Sequence, residues 1–188
     1  MPEVQGFARQ KVAVYLGMTN ETRKRRIALM THEYILWIAT AAYGFHMIEE
    51  TIYNWYGWVR RVLGLEAEWS EFYMVNAIVI VLGGSCAMVG WRLPGAALIF
   101  PGFMLVNAVV FHILPVIVTR IFSPGLITAV VLFLPVGSWA YWGAWRDGVL
   151  TTTAVIVSGV LGFVLMLFPI VLQKTKHMPF FRQDLETA

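Results

Sequence analysis

Long apolar runs dominate this chain, separated by short polar breaks. Five runs, residues 29–49, 72–92, 96–118, 125–145 and 150–172, each approach the length a helix needs to cross a hydrocarbon core of about 30 Å. They predict five membrane-spanning helices. The breaks near Leu93-Pro94-Gly95, Arg120 to Gly125 and Arg146-Asp147-Gly148 carry prolines, glycines and charges and read as short turns. The one long connection, residues 51–71, is different. Ile52, Trp55, Tyr56, Val59 and Leu63 approximate helical spacing, with Arg60, Arg61, Glu66 and Glu68 elsewhere around the turn. This predicts an amphipathic helix in the headgroup layer, a depth that tryptophan and tyrosine favour. Because it starts directly after Glu50, it is placed to serve as an anchor or as a lid. The expected fold is therefore all-α: a polytopic membrane bundle of five transmembrane helices, with an interfacial helix between spans one and two. A basic amphipathic segment (1–28) precedes the membrane domain (29–173), and a polar tail (174–188) follows it.

Composition supports the same class. Of 188 residues, 59% are hydrophobic and 13% are charged, and the mean hydropathy is +0.68. A soluble domain carries about twice that charge fraction, so there is no room for a second, soluble domain. The net charge of +3 belongs to topology and calls for no nucleic-acid partner. Arg23, Lys24, Arg25 and Arg26 directly precede the first span, joined upstream by Arg9 and Lys11. Basic residues near span ends stay on the cytoplasmic side, which predicts a plasma (inner) membrane protein with a cytoplasmic amino terminus. Arg60, Arg61, Lys174, Lys176 and Arg182 weigh against that orientation. No apolar run lies near Met1, so a cleaved signal peptide is not expected. The single cysteine, Cys86, reads as a packing residue.

Candidate chemistry concentrates at the end of the first run. His46, Glu49 and Glu50 stand at i, i+3 and i+4, on one helix face. Ionisable groups at membrane depth are costly and usually functional. The third span adds Asn107 and His112. Five residues apart on a straight α-helix means about 140° of separation, so these two do not quite share a face. Pro115 cannot donate to the carbonyl of Phe111 and should loosen the turn beside His112. Asn76 and Glu71 lie near the start of the second span. Five alternating spans bring all these positions to one side of the membrane at similar depth.

Two imidazoles and a carboxylate match the three protein ligands of a catalytic zinc, and equally the two-His, one-carboxylate set of non-haem iron. His46, His112 and Glu49 or Glu50 would hold the metal. The other glutamate would act as general base toward an activated water, and Asn107 would orient a ligand or polarise a carbonyl. Asn76, Arg60 and Trp55 are candidate substrate contacts for a lipophilic molecule arriving from the surrounding membrane lipid. Without metal, two adjacent carboxylates in low dielectric repel and split into an acid and a base. That arrangement suits isomerisation or cyclisation of a sterol- or isoprenoid-like substrate. Transport, ion binding or ligand binding without catalysis form a third class, and a homo-oligomer is left open. No phosphate-cradling glycine loop is present, so no organic cofactor is implied.

Blander roles exist for the same residues. Glu49 and Glu50 could be solvated at the span end, either histidine could be a core residue bonded across helices, and His32 and Glu33 could snorkel or pair with Arg92. Gly83, Gly84, Gly137, Ser158 and Gly162 read as close-approach positions between helices, and Pro101, Pro135 and Pro169 as kinks.

The pair of motifs His46-x-x-Glu49-Glu50 and Asn107-x-x-x-x-His112, on separate spans, resembles the HXXEE-domain family of integral membrane proteins, over roughly residues 30–172. The resemblance implies a helical membrane fold with these polar residues as its shared site, and it brings no assigned reaction. A looser likeness links Gly44-Phe45-His46-Met47-Ile48-Glu49 to the five-span sterol isomerases that include the emopamil-binding protein, with a spacing one residue shorter here.

Overall fold

The structure, a computed structural model, describes residues 31–175. The basic segment 1–28 and the tail beyond residue 175 lie outside the described residues, as does the side chain of Lys174. The chain divides between His32 and Glu33, and the second unit contains every helix discussed below.

Among the described residues the secondary structure is entirely helical. Helix α1 is Tyr34–Ile52, and the short α2 is Trp55–Val62. Helix α3, Trp69–Arg92, ends in a 3-10 turn. Helix α4 is Pro94–Thr119, α5 is Leu126–Arg146, and α6 is Thr152–Thr175. Four of these, α3 to α6, are long and apolar enough to cross a membrane. Helix α1 has 19 residues, a length of about 28 Å, but is not among them. The shortfall from the expected five has a local cause: His46, Glu49 and Glu50 crowd the last turns of α1 and lower its apolarity.

Local chemistry explains the boundaries. Asn54, in a left-handed conformation (φ 56°), ends the α1 segment and caps α2 by accepting from the Gly57 amide at 3.1 Å. Glu68 and Glu71 form a reciprocal capping box at the start of α3. The restart at Asn54 corrects the apolar stripe expected for α2. Its buried residues are Trp58 and Val59, packed with Ala67, whereas Ile52 belongs to α1 and is exposed. A positive φ breaks the helical register, so spacing counted through Asn54 fails.

Helix α1 packs on α3 and α5, and α4 makes its most extensive pairing with α6. Small residues permit that crossing. A Cβ added to Gly162 would lie 2.6 Å from the Phe103 amide nitrogen, and one added to Gly102 would lie 2.9 Å from the Ser158 carbonyl oxygen. Gly83 and Gly137 are equally tight, against Phe100 and Leu105. Gly84 faces open space, so its expected close-approach role does not hold. At the end of the bundle away from His46, Glu33 accepts from the Trp91 amide at 2.6 Å, and the Trp91 indole donates to Asp147 at 2.8 Å.

Two π-helical segments, Asn107–Ile113 in α4 and Ala129–Phe133 in α5, pack against each other. Each ends just before a Leu-Pro pair, at Pro115 and Pro135. Proline offers no amide to the carbonyl four residues back, so the hydrogen-bond ladder slips into wider turns. The carbonyl freed by Pro115 is that of Phe111, and the Ser123 hydroxyl lies 3.5 Å from it.

Candidate metal centre

Two helices deliver three groups to a buried point. His46 and Glu50 are successive rungs on the inner face of α1, and His112 comes from the π segment of α4. The imidazole centroids lie 4.7 Å apart with ring planes at 84°. Glu50 Oε1 is 3.6 Å from His46 Nε2 and 3.8 Å from His112 Nε2. One ligand atom from each residue falls within 4.8 Å of the others, and each of the three residues is buried. Neither Nε2 has a hydrogen-bond partner among the described residues.

The opposite ring nitrogens set the tautomers. His46 Nδ1 is 2.8 Å from the Thr128 hydroxyl. That hydroxyl also lies 2.5 Å from Glu49 Oε2 and 3.2 Å from the Gly125 carbonyl, both of which can only accept. Its single proton goes to one of them, so the Thr128 oxygen accepts from His46 Nδ1–H. His112 Nδ1 is 3.2 Å from the Ser123 hydroxyl, whose proton points toward the Phe111 carbonyl. Each ring thereby carries its orienting proton on Nδ1, and both Nε2 atoms are turned toward the Glu50 carboxylate. In the neutral form of both rings, three acceptors converge without a donor. A cation resolves that arrangement, and an orienting bond on the second ring nitrogen is the usual support of a ligating histidine.

The loop before α5 closes the site. Gly125 has φ +94°, and a Cβ there would lie 2.6 Å from His112 Cε1 and 2.7 Å from His46 Cε1. Only glycine fits between the two rings in this backbone conformation. Phe133, from the second π segment, covers His46 with centroids 4.2 Å apart.

A cavity of about 340 Å³ lies beside the centre, and Glu50 and His112 form part of its wall. The rest is mainly apolar, including Val79, Leu82, Phe103 and Leu165. Asn76 and Asn107 also line it. Asn76 accepts from the Tyr43 hydroxyl at 2.6 Å and donates to the Phe72 carbonyl at 2.8 Å. Trp55, Trp58 and Val59 of α2 form a further part of the wall.

The expected site residues thus separate. His46, Glu50 and His112 come together. Asn76, Asn107 and Trp55 line the adjoining cavity. Asn107 and His112 both face it because, in a π-helix, i and i+5 are successive rungs, which corrects the α-helical separation of about 140°. Glu49, expected as a metal ligand or base, is turned the other way. It accepts from the amides of Gly125 (3.1 Å), Ile127 (3.1 Å) and Thr128 (2.7 Å) and caps the start of α5. Arg60, expected to touch substrate, points outward and stacks on Tyr56, with Nη1 2.7 Å from its hydroxyl. Sequence reasoning missed Ser123, Gly125, Thr128 and Phe133. Their signal was the Ser-Pro-Gly turn opening a span, which reads as an ordinary connection until the histidines are seen beside it.

A family model described as "Protein of unknown function with HXXEE motif" matches residues 37–140, from α1 into α5. No curated protein and no solved structure matches the chain. The match covers more than half of the sequence and contains His46, Glu49, Glu50, His112 and the loop that orients them, so the chain belongs to the family of proteins with an HXXEE motif.

Proposed function

We propose that this protein is a membrane metalloenzyme. In this reading His46 Nε2, His112 Nε2 and Glu50 Oε1 hold a divalent zinc or iron ion, with an open position toward the apolar cavity. The observation that carries it is the convergence of two bare imidazole lone pairs and a carboxylate in a buried pocket. Zinc–nitrogen bonds of about 2.0–2.1 Å in a tetrahedral site separate ligand atoms by about 3.3 Å; the two Glu50 pairs stand at 3.6 and 3.8 Å, and all three ligand atoms lie within 4.8 Å of one another. A bound metal supplies a Lewis acid that polarises a substrate oxygen. The chain's own residues orient that ion and exclude water, and the cavity walls select a lipophilic substrate. Glu49 has its oxygens occupied by the 125–128 segment, so neither a Glu49 general base nor a metal-free pair of coupled glutamates draws support from the geometry.

Helix α1 would be a fifth span in this reading. Its exposed side chains include Trp37, Ile38, Phe45 and Ile48, all apolar, whereas His46, Glu49 and Glu50 face inward. Intramembrane ionisable residues normally face the bundle interior in this way. A plasma-membrane location with the amino terminus inside rests on the basic cluster before α1 alone.

Metal analysis of the purified full chain tests the proposal. Near-stoichiometric zinc or iron is expected in the parent protein, with loss in His46→Ala, His112→Ala and Glu50→Gln. Folded parent protein that takes up neither metal, even on reconstitution, would end it.

A further inference from the structure

One side of the cavity is formed by two helices that scarcely meet. Helix α3 packs against α1 and the first half of α4, and α6 packs against α4, but α3 and α6 make no comparable pairing with each other. Both nevertheless supply cavity wall: Val75, Ile78, Val79 and Leu82 from α3, and Leu165, Phe168 and Pro169 from α6. Helix α4 stands behind the gap, with Phe103, Phe111 and His112 in the same wall. Ile78 and Phe168 are 48% and 40% exposed, so side chains that line the cavity also reach the outer surface. Counted at about 1.5 Å per residue from the ends of α3, α6 and α4, Ile78, Phe168 and His112 lie about 10–14 Å below one end of the bundle. With these helices as spans, the gap meets hydrocarbon rather than headgroups, at the depth of the metal centre.

The surface around the gap suits that neighbour. Met74 and Val81 on α3, and Val164 and Val171 on α6, are exposed and apolar. Within α6, Pro169 has no amide for the carbonyl of Leu165, so the turns at the rim are tied to the rest of the helix by one bond fewer. The cavity volume of about 340 Å³ falls near the small end of ligand pockets, about 300–1,000 Å³. That is room for one hydrocarbon chain, not for the two of a bilayer phospholipid.

We propose that the gap between α3 and α6 is a side entrance through which a single-chain lipophile passes from the membrane interior to the metal centre. Its chain lies against Val79, Leu82 and Leu165, and its small polar head reaches the wall formed by Glu50 and His112. This deepens the enzyme reading by naming the partner and its route, and rests on that reading for the membrane setting and the chemistry at the head.

The probe is dodecanol carrying a mid-chain diazirine, photolysed with the full chain in phosphatidylcholine nanodiscs. Adducts are located by mass spectrometry, and metal content is measured on the same samples. Adducts on Val75, Val79, Leu82 and Leu165 are expected. Excess plain dodecanol should suppress them, while adducts on the exposed Met88, away from the cavity wall, persist. To test the route, Ile78→Cys and Phe168→Cys are combined in a Cys86→Ala background and joined by a cleavable bis-maleimide before the probe is added. Closure should abolish the suppressible adducts, and reductive cleavage of the linker should restore them, which a folding defect would not allow. Adducts that no excess of the alcohol suppresses would mean a groove filled by bilayer lipid, and overturn the proposal. Suppressible labelling that survives closure places the entrance elsewhere and overturns it too. Loss of the adducts in discs holding two chains, with the introduced cysteines linking between copies, would assign the gap to a second copy instead. A chain that takes up no metal but labels as expected ends the metal reading and keeps this one. A metal-loaded chain without suppressible adducts ends this one alone.

Discussion

The hydroxyl oxygen of Thr128 lies 2.8 Å from His46 Nδ1, and through that contact the loop before α5 sets the direction of a lone pair on α1. Thr128→Val keeps the shape and removes the hydroxyl, freeing the ring to rotate or change tautomer. Loss of an orienting partner typically costs 10–100-fold in metal affinity, and a fall of about that size is expected by chelator competition. Unchanged affinity would show that packing alone orients the ring.

The adjacent glutamates should give opposite phenotypes. Glu49 accepts three backbone amides and the Thr128 hydroxyl. Glu49→Gln places an NH2 group among those donors and should destabilise by about 2–4 kcal/mol, since bonds to a charged acceptor contribute about 1.5–3 kcal/mol each. Glu50 instead faces the two bare imidazole nitrogens. Compared metal-free, Glu50→Gln should melt no lower than the parent, and with metal supplied it should lose both the metal and the stabilisation that binding adds. Thermal unfolding and metal content measured together decide this, and the reverse pattern would exchange the two assignments.

Gly125→Ala tests the wedge between the rings. The added methyl meets both Cε1 atoms and occupies a positive-φ position. Strain of about 1–3 kcal/mol is expected, together with loss of metal as the rings part. Gly84→Ala, which enters open space, is the control and should change neither property. A Gly125→Ala protein with parental melting and metal content would mean that the loop yields without cost.

Pro115→Ala restores an amide that can bond the Phe111 carbonyl. The π segment should tighten toward α-helix, turning Asn107 away from His112. We expect a metal-free thermal midpoint equal to or above that of the metal-free parent, and metal affinity lower by about tenfold, an effect comparable with loss of a supporting contact. If the wide turns are held by α5 rather than by the missing amide, affinity will stay at the parental value, and that result would reject the mechanism.

Much of the helical layout was legible in one dimension. Apolar runs located the long helices because burial in lipid requires about twenty residues in a row, whatever their neighbours. The i, i+4 spacing put His46 and Glu50 on one face for the same local reason. Local rules also failed at identifiable places. Asn54 reset the register of α2, and Pro115 turned a five-residue spacing into adjacent rungs. The run 29–49 read as a span, whereas α1, with so much polarity on its inward face, is not among the helices apolar enough to cross a membrane.

The choice between Glu49 and Glu50 could not be read from the chain at all. The two are neighbours on α1 with the same chemistry, and what separates them is a loop far away in sequence. Its amides face Glu49, which leaves Glu50 to the imidazoles. The tautomers, the glycine wedge and the cavity arise in the same way. The sequence by itself determined helices and an ionisable face, because these follow from contacts within a few residues. Only the tertiary structure decided which atoms meet, because hydrogen-bond directions and enclosed volume depend on groups that the chain brings together from several helices.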